Sequence, residues 1–440
     1  MRLNGSAPPP SLEPPYYGFQ NDTMNACGTY SKDSDMIIGV GPLYYGDMDT
    51  PSSKGEDNGD DSDCNDGEDD GSNSSTPAAP ASTPASAPAK ATTTTEAAPK
   101  DTAAKTTAKA ASSTPAKSTP KSSAAPAKST GTSNEGWKLS KKLEGSDFLD
   151  FFNYDTGTGD NDGVAEYVNG VQEGLAYTSG NQVILAVDTA EDVSARNSLR
   201  MVSKTTFNAK DMNLFIFDIA HMPAVCGTWP AVWFTGANWP YQGEIDVVEG
   251  VSLYNQNIYS VHTGSGCTIS SSAVSAMSAV TIVKSDGTDC DATVDPAGCG
   301  FTDHQATTFG PGFNSAGGGV FALQFDTTGI KMWFFQTGNV PSDISSLAPN
   351  PSTWGAPRMS VPTSSCSPTT FFSDLMMVVD TNLGGTFTEG VWAVDGAGGQ
   401  AKSCKTQTGV DTAADYVKSH GSEFGAAAQW EINGFYIYNQ

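Results

Sequence analysis

The chain has 440 residues, a formal net charge of −26 and a pI of about 4.3. This acidity argues against nucleic acid and anionic membrane surfaces as partners, and the absence of a run of about 20 apolar residues argues against a membrane span. The charge suits a neutral polymer as substrate and a secreted acidic protein. Glycine is abundant, with 46 residues, and only 16% of residues are charged, as is common in loop-rich all-β proteins.

The eight cysteines indicate the compartment. None forms a C-x-x-C pair, so neither a zinc site nor a redox pair is expected. An even number at wide spacing predicts disulfides and an oxidising environment, secreted or in a cell wall. The spacing leaves the pairing open, although Cys290 and Cys299 would close the shortest loop. The first residues, MRLNGSAPPP, contain no apolar segment typical of a signal peptide, so we expect a processed or wrongly assigned start.

Residues 1–55 are predicted to be a separate N-terminal segment rich in Pro, Tyr and Gly. Within it, residues 25–46 resemble the opening of a double-psi β-barrel of the expansin and barwin type. The resemblance ends there and the remainder of such a barrel is missing. We therefore expect a remnant rather than a working module.

Residues 56–133 are predicted to be a disordered linker. Its first fifteen positions hold nine acids, but Asp61, Asp63 and Asn65 lack the glycine and distal glutamate of an EF-hand, which favours a solvated acidic run over a calcium site. Residues 71–133 are almost only Ser, Thr, Ala, Pro and Lys. Such a segment buries too little apolar surface to offset chain entropy, which predicts an extended, O-glycosylated stalk.

Residues 137–440 are predicted to form one all-β domain and a monomer. Short apolar runs recur there between clusters of Gly, Asn, Asp and Pro, without sustained helical periodicity. Many short strands with regular turn signals predict a sandwich or a barrel. The predicted strands are 182–188, 213–219, 231–234, 258–262, 320–325, 330–335, 375–380 and 429–438.

Residues 243–250, GEIDVVEG, place three carboxylates in a run whose β-branched residues favour a strand. In a regular strand Glu244 and Asp246 share one face, and Glu249 points to the other. One extra residue, a β-bulge at 247–248, would return Glu249 to the first face. Three carboxylates on one face suit a solvent-open working site, whereas an edge strand with solvated acids is the alternative that the spacing leaves open.

Aromatic and imidazole side chains flank these acids. Trp229, Trp233 and Trp239 precede them, and tryptophan stacks on the flat C–H faces of sugar rings. Trp233 lies inside an apolar run and is equally suited to the core. His262, in the alternating stretch 259–263, would face the acids if its strand pairs antiparallel with theirs, although a lone histidine in a strand is usually structural. The pattern predicts four substrate-binding residues.

Two carboxylates flanking an acetal are what glycoside hydrolysis needs. One attacks the anomeric carbon, and the other protonates the leaving oxygen and then activates water. A separation of about 5–5.5 Å gives retention and about 6.5–9.5 Å gives inversion, and two acids on one bulged strand belong to the shorter class. Asp246 is expected to hydrogen-bond Glu244 and to keep the pKa values of Glu244 and Glu249 apart. This chemistry needs no cofactor and no metal.

The acid stretch resembles the signature of glycoside hydrolase family 16 in its bulged form. Residues 226–233, CGTWPAVW, and the His-Thr pair at 262–263 are similar to fungal endo-1,3(4)-β-glucanases of the laminarinase type. The resemblance extends over essentially 137–440. Further similar stretches are 196–200, 317–322, 332–335, 354–357 and 430–432.

The resemblance implies a β-jelly-roll of two antiparallel sheets with a glucan-binding cleft on the concave face. It also implies a retaining endo-β-glucanase that cuts internal β-1,3 or mixed β-1,3/1,4 bonds. Glu244 would be the nucleophile, Glu249 the acid/base, and Asp246 would assist Glu244. The implied subsite residues are Trp229, Trp239 and His262.

The chain departs from that family at three places. It has Gln-Phe at 324–325 where tryptophan is frequent, it lacks a cysteine near Gly384, and it has Glu166 where Asn or Asp is common. Two other functions remain open. A β-glucan-binding protein without catalysis would be expected to lose the acids, and cell-wall transglycosylases look more like the unbulged E-I-D-x-E form.

Overall fold

The computed structural model describes residues 136–278, 280–283 and 288–440. These residues cover the predicted all-β domain apart from two short gaps. The predictions for the N-terminal segment 1–55 and for the linker 56–133 lie outside the described residues, as do Cys27 and Cys64.

Nineteen strands are described, and most of them belong to two large antiparallel sheets. The strands are β1 (Lys138–Leu143), β2 (Phe152–Tyr154), β3 (Gly157–Thr158), β4 (Ala165–Tyr167), β5 (Ala176–Ser179), β6 (Gln182–Leu185), β7 (Arg196–Ser198), β8 (Arg200–Phe207), β9 (Asn213–His221), β10 (Thr228–Thr235), β11 (Glu244–Glu249), β12 (Ile258–His262), β13 (Val280–Ile282), β14 (Cys299–Asp303), β15 (Gly319–Asp326), β16 (Gly329–Gln336), β17 (Met359–Pro362), β18 (Leu375–Leu383) and β19 (Trp430–Asn439).

The first sheet has eight strands in the order β17-β16-β15-β9-β19-β6-β5, with β1 also paired to β19. The second sheet also has eight strands, in the order β13-β14-β12-β11-β10-β18-β8-β2. A third sheet, β3-β4-β7, has three strands, and β4 and β7 run parallel in it. The predicted all-β sandwich of two antiparallel sheets is confirmed.

Short helices connect the strands. Because the described α-helices have only four to seven residues, no periodic apolar pattern develops in the sequence to predict them. None of them is long and apolar enough to cross a membrane. The α-helices are α1 (Gly145–Phe151), α2 (Ser271–Ala276), α3 (Gly310–Ser315), α4 (Ser342–Ser345), α5 (Pro368–Phe371), α6 (Thr386–Val391), α7 (Cys404–Thr408) and α8 (Ala413–Ser419). The 3₁₀ turns are Ala209–Asp211, Pro351–Thr353, Ala397–Gly399, Gly421–Phe424 and Ala426–Ala428.

The predicted strands correspond to β6, β9, β10, β12, β15, β16, β18 and β19. Strand β12 has the predicted bounds, and the others differ by at most three residues at an end. The agreement is good because the strands that face the core carry the densest β-branched and aromatic runs.

Aromatic side chains fill the space between the two large sheets. Phe215 of β9 and Phe234 of β10 are fully buried with ring centroids 4.8 Å apart, and Phe217 packs edge-on against Phe435. Strand β15 is buried at every position, because a second apolar cluster covers the outer face of the first sheet. That outer cluster includes Leu214, Ile216, Trp333 and Tyr438.

Three disulfides are described: Cys226–Cys404, Cys267–Cys366 and Cys290–Cys299. The prediction that Cys290 pairs with Cys299 is confirmed. The other two bridges join residues 178 and 99 positions apart, so they restrict long segments of the unfolded chain.

Candidate active site

Strand β11 contains the predicted bulge. Asp246 pairs with Trp233 of β10 and Val248 pairs with Val232, so Val247 is the extra residue. Val247 and Val248 are both fully buried in the core, although a regular strand would turn one of them outward. The alternation is therefore reset between Asp246 and Glu249, and the three acids share the face of β11 that points away from the core.

The alternative of a solvated edge strand is wrong. Strand β11 lies inside the second sheet, with β10 on one side and β12 on the other. Asp246 is only 3% exposed, and the side chains of Glu244 and Glu249 are half-buried. An interior strand that buries a carboxylate incurs a desolvation cost, and such a cost is most often found at a functional site.

A buried asparagine that the sequence analysis did not identify holds the bulge. The side-chain Nδ2 of Asn257 donates to the carbonyl of Val247 at 2.9 Å, and its Oδ1 accepts from the N–H of Glu249 at 3.0 Å. Asn257 is fully buried, and its amide satisfies two backbone groups around the bulge. The N-x-N spacing before β12 carries no recognisable signal, because the contact depends on the fold.

His262 faces the acids as predicted. Strand β12 runs antiparallel to β11, and His262 is the direct partner of Glu244. Its Nε2 lies 3.1 Å from Oδ2 of Asp246 and 3.8 Å from Oε1 of Glu244. The expected hydrogen bond between Asp246 and Glu244 is not among the described contacts, and Asp246 pairs with the imidazole of His262 instead.

The ring nitrogens of His262 have different partners. Nδ1 lies 2.9 Å from the carbonyl oxygen of Pro296, which can only accept, so Nδ1 carries a hydrogen. Burial lowers the pKa of His262, but the charge of Glu244 and the contact with Asp246 outweigh it and raise that pKa to about 9. At neutral pH the ring is therefore an imidazolium whose Nε2–H points at the carboxylates.

This protonated ring bears on the question of a metal. One ligand atom from each of Glu244, Asp246 and His262 lies within 4.8 Å of the others, a spacing that would suit an ion. An imidazolium has no free lone pair to offer, and it already supplies positive charge between the acids. We therefore assign none of these three residues as a metal ligand.

Glu249 is held by one of the predicted tryptophans. The indole Nε1–H of Trp229 donates to Oε1 of Glu249 at 3.0 Å. Burial raises the pKa of Glu249, and the Trp229 and His262 interactions only partly oppose that rise. Burial also raises the pKa of Asp246, with the neighbouring charge of Glu244 adding to the effect. Glu249 is thus suited to hold a proton.

The other two tryptophans differ in their surroundings. Trp233 is half-buried and is the β10 partner of Asp246 on β11. The guanidinium carbon of Arg200 lies over its ring, 5.3 Å from the ring centroid. Trp239 is half-buried in the loop between β10 and β11, and none of its described contacts reaches the acids. Their roles in sugar binding remain predictions.

A charged group next to Trp233 was also missed by sequence reasoning. Asp380 of β18 lies 3.8 Å from Nε of Arg200, which also pairs with Asp155. Burial raises the pKa of Asp380 to about 7, against the opposing charge of Arg200. Asp155, Arg200 and Asp380 come from distant parts of the chain, so no local motif predicts the group.

The family model described as "XgeA-like, catalytic GH16 domain" matches residues 152–438. The chain belongs to glycoside hydrolase family 16. The sequence-based resemblance to this family is thereby confirmed, and so is the expectation of a glycoside hydrolase catalytic domain.

Several fungal proteins are similar to this chain. A probable glycosidase of Schizosaccharomyces pombe is 32% identical over 309 residues, which are 69% of this chain and 69% of that protein. A probable endo-1,3(4)-beta-glucanase of Aspergillus niger is 34% identical over 69% of this chain but only 40% of its own length. The endo-1,3(4)-beta-glucanase of Arthroderma benhamiae is 33% identical over 61% of this chain and 56% of its own length. The chain therefore spans about half the length of these two glucanases.

Two solved family-16 structures are similar. The GH16 Laminarinase 16A from Phanerochaete chrysosporium, described with 6-O-glucosyl-laminaritriose in its donor and acceptor sites, is 31% identical with a TM-score of 0.61. The alignment covers 69% of this chain and 99% of that one. An elongating family-16 beta-1,3-glucosyltransferase is 32% identical with a TM-score of 0.61, over 69% of this chain and 100% of that one. The likeness covers the described domain and supports the jelly-roll assignment.

The Trp229→Phe variant should shift the pH dependence of this family-16 site. It keeps an aromatic ring but removes the N–H that lowers the pKa of Glu249. Because a hydrogen bond to a charged group contributes about 1.5–3 kcal/mol, we expect the alkaline limb of kcat/KM to move upward by about one pH unit. The measurement is a pH–rate profile on laminarin. The matched control is Trp354→Phe, because Trp354 packs against the apolar cluster on the outer face of the first sheet. An unchanged alkaline limb in Trp229→Phe would contradict the assignment of Glu249 as the group that must be protonated.

Proposed function

We propose that the chain is a retaining endo-β-glucanase that hydrolyses internal β-1,3 or mixed β-1,3/1,4 glucosidic bonds. The observation that carries this proposal is the bulge at Val247, which brings Glu244, Asp246 and Glu249 to one face of β11. Two glutamates on the same face of one strand suit the separation of about 5–5.5 Å that retention requires. The names of the fungal relatives support a β-glucan as substrate.

In the first step, a carboxylate oxygen of Glu244 attacks the anomeric carbon, and the bond from that carbon to the leaving oxygen breaks. Glu249 gives its proton to the leaving oxygen. Burial raises the pKa of Glu249, which favours the protonated form that a general acid needs. The product is a glycosyl ester of Glu244 and a shortened glucan.

In the second step, Glu249 is a carboxylate and takes a proton from water. The water oxygen attacks the anomeric carbon, and Glu244 leaves as a carboxylate. Asp246 and the His262 imidazolium balance the charge beside Glu244 during both displacements. Trp229, Trp233 and Trp239 provide aromatic surface for the glucose rings.

A second candidate is a transglycosylase that passes the same glycosyl intermediate to a sugar acceptor. The similarity to an elongating beta-1,3-glucosyltransferase favours it. Both reactions share the first step, so they differ only in whether water or a sugar hydroxyl attacks the ester. A glucan-binding protein without catalysis is less well supported, because all three acids are retained and share one face. The three disulfides favour a secreted or cell-wall location.

A side-by-side assay of the full chain tests this proposal. Laminarin, barley mixed-linkage glucan and lichenan are incubated with the protein, and reducing ends are measured over time. We expect reducing ends to appear rapidly from at least laminarin, with a mixture of oligomer lengths typical of internal cleavage. A parallel incubation with a laminari-oligosaccharide of defined length distinguishes the second candidate, because products longer than that substrate in the mass spectrum would indicate transglycosylation. Binding to laminarin without new reducing ends or new oligomers would overturn both.

A further inference from the structure

A covalently closed loop lies against His262. The disulfide between Cys290 and Cys299 closes it over a sequence separation of 9. Both ends of the loop pair with residues next to His262 in the chain. The N–H of Thr263 donates to the carbonyl of Cys290 at 2.8 Å, and Cys299 pairs with Val261 where β14 meets β12. The loop is therefore fixed on both sides of the imidazole.

Two contacts from this loop set the orientation of the ring. Nδ1–H of His262 donates to the carbonyl of Pro296 at 2.9 Å. Gly298, at φ +51°, lies so close that a Cβ there would be 2.7 Å from Nδ1 and 2.5 Å from the carbonyl oxygen of Val261. Any larger residue would displace the ring. Because Nδ1 is hydrogen-bonded to the loop, Nε2 is the ring nitrogen that faces Glu244 and Asp246.

The loop's own acids are engaged elsewhere. The carboxylate of Asp291 accepts from the N–H of Thr293, and that of Asp295 accepts from the N–H of Ala297. The loop therefore offers the imidazole a backbone carbonyl. The charges of Glu244, Asp246 and Glu249, all on β11, raise the pKa of His262.

We propose that the disulfide-closed loop 290–299 is a positioning element for the active site, which holds the His262 ring so that Nε2–H stays on Asp246 and beside Glu244. Pro296 and Gly298 act through His262 and are positioning residues. Fixing the ring keeps one positive charge beside these three acidic side chains and offsets the repulsion between those that are ionised. The inference rests on the proposed function of these acids, and it adds that opening the loop changes their electrostatics.

The experiment compares two disulfide deletions in the full chain. Cys290→Ser/Cys299→Ser opens the loop, and Cys226→Ser/Cys404→Ser removes a bridge in a separate apolar cluster. The pKa of His262 is measured by NMR titration of its C2–H signal, which is assigned with His262→Gln, and pH–rate profiles on laminarin are recorded in parallel. Because the control bridge closes the longer segment, the control should lose at least as much thermal stability.

We expect the pKa of His262 to fall in the opened-loop variant from about 9 toward the ordinary histidine value of about 6.5, and to stay unchanged in the control. On laminarin, kcat should fall roughly tenfold in the opened-loop variant with little change in KM, as for a lost transition-state interaction. An unchanged His262 pKa together with a wild-type pH profile would overturn the inference, because it would leave the disulfide a purely structural role.

Two glycine substitutions test the inference if the opened-loop variant does not fold. Gly298→Ala keeps the disulfide but displaces the ring, whereas Gly338→Ala places the same side chain at φ +91° in open space. The His262 pKa should fall only in Gly298→Ala, and equal values in both variants would overturn the inference. The titration needs no substrate. If the wild-type protein does not cleave glucan, the proposed function fails while the loop's effect on His262 is still decided.

Discussion

Glu244→Gln is expected to reduce laminarin hydrolysis by roughly 10⁴-fold or more, the scale on which loss of a catalytic nucleophile acts. The amide has nearly the same shape but cannot form the glycosyl ester. Because Glu244 lies on the outward face of β11 and is half-buried, the change leaves the apolar core intact. Reducing-sugar release by purified, folded protein gives the measurement.

Glu431→Gln is the matched control for this change. Glu431 is a half-buried glutamate on β19 of the first sheet, where its carboxylate accepts from Gln429. It should keep wild-type activity. Full activity in Glu244→Gln would remove the nucleophile assignment, and an equal loss in Glu431→Gln would attribute the effect to folding.

Glu249→Gln is expected to lose about 10²–10⁴-fold on laminarin, which is the usual contribution of general acid–base catalysis. With an activated aryl glycoside, whose leaving group needs no proton, the rate of the first step should fall much less in Glu249→Gln. The sign of the pH effect follows from the raised pKa of Glu249. Wild-type activity declines as rising pH removes that proton, so the variant should lack this alkaline limb.

Azide separates the two glutamates further. With an activated aryl glycoside, azide can replace the missing base in Glu249→Ala by attacking the glycosyl ester on Glu244, which gives the β-glycosyl azide. In Glu244→Ala, azide attacks the substrate directly and gives the α-glycosyl azide. An α-glycosyl azide from Glu249→Ala and a β-glycosyl azide from Glu244→Ala would make Glu249 the nucleophile and Glu244 the acid/base.

Much of the fold could be predicted from sequence because the strands carry their own local signal. Strand β12 was predicted with its observed bounds, and the alternation of Tyr259 and Val261 with His262 correctly gave its face. The bulge in β11 was predicted from a mismatch, because a regular strand could not place Glu249 beside Glu244. Local pattern and backbone geometry were sufficient for these features.

The remaining features depend on contacts between distant parts of the chain. Asn257 supports the bulge through side-chain hydrogen bonds to Val247 and Glu249, and nothing in its local sequence indicates them. Asp246 contacts the imidazole of His262, a partner set by strand pairing. The pairing of Cys226 with Cys404 likewise joins segments far apart in sequence. Such contacts follow from the packed fold and leave no periodic pattern.

The central proposal is that Glu244 and Glu249, which a bulge at Val247 places on one face of β11, act together in a double displacement. Proton NMR of the anomeric region during early laminarin hydrolysis tests it most directly. For a double displacement, we expect new reducing ends to appear first as the β-anomer and only later to equilibrate with the α-anomer. Initial release of the α-anomer would show inversion and contradict the proposed mechanism.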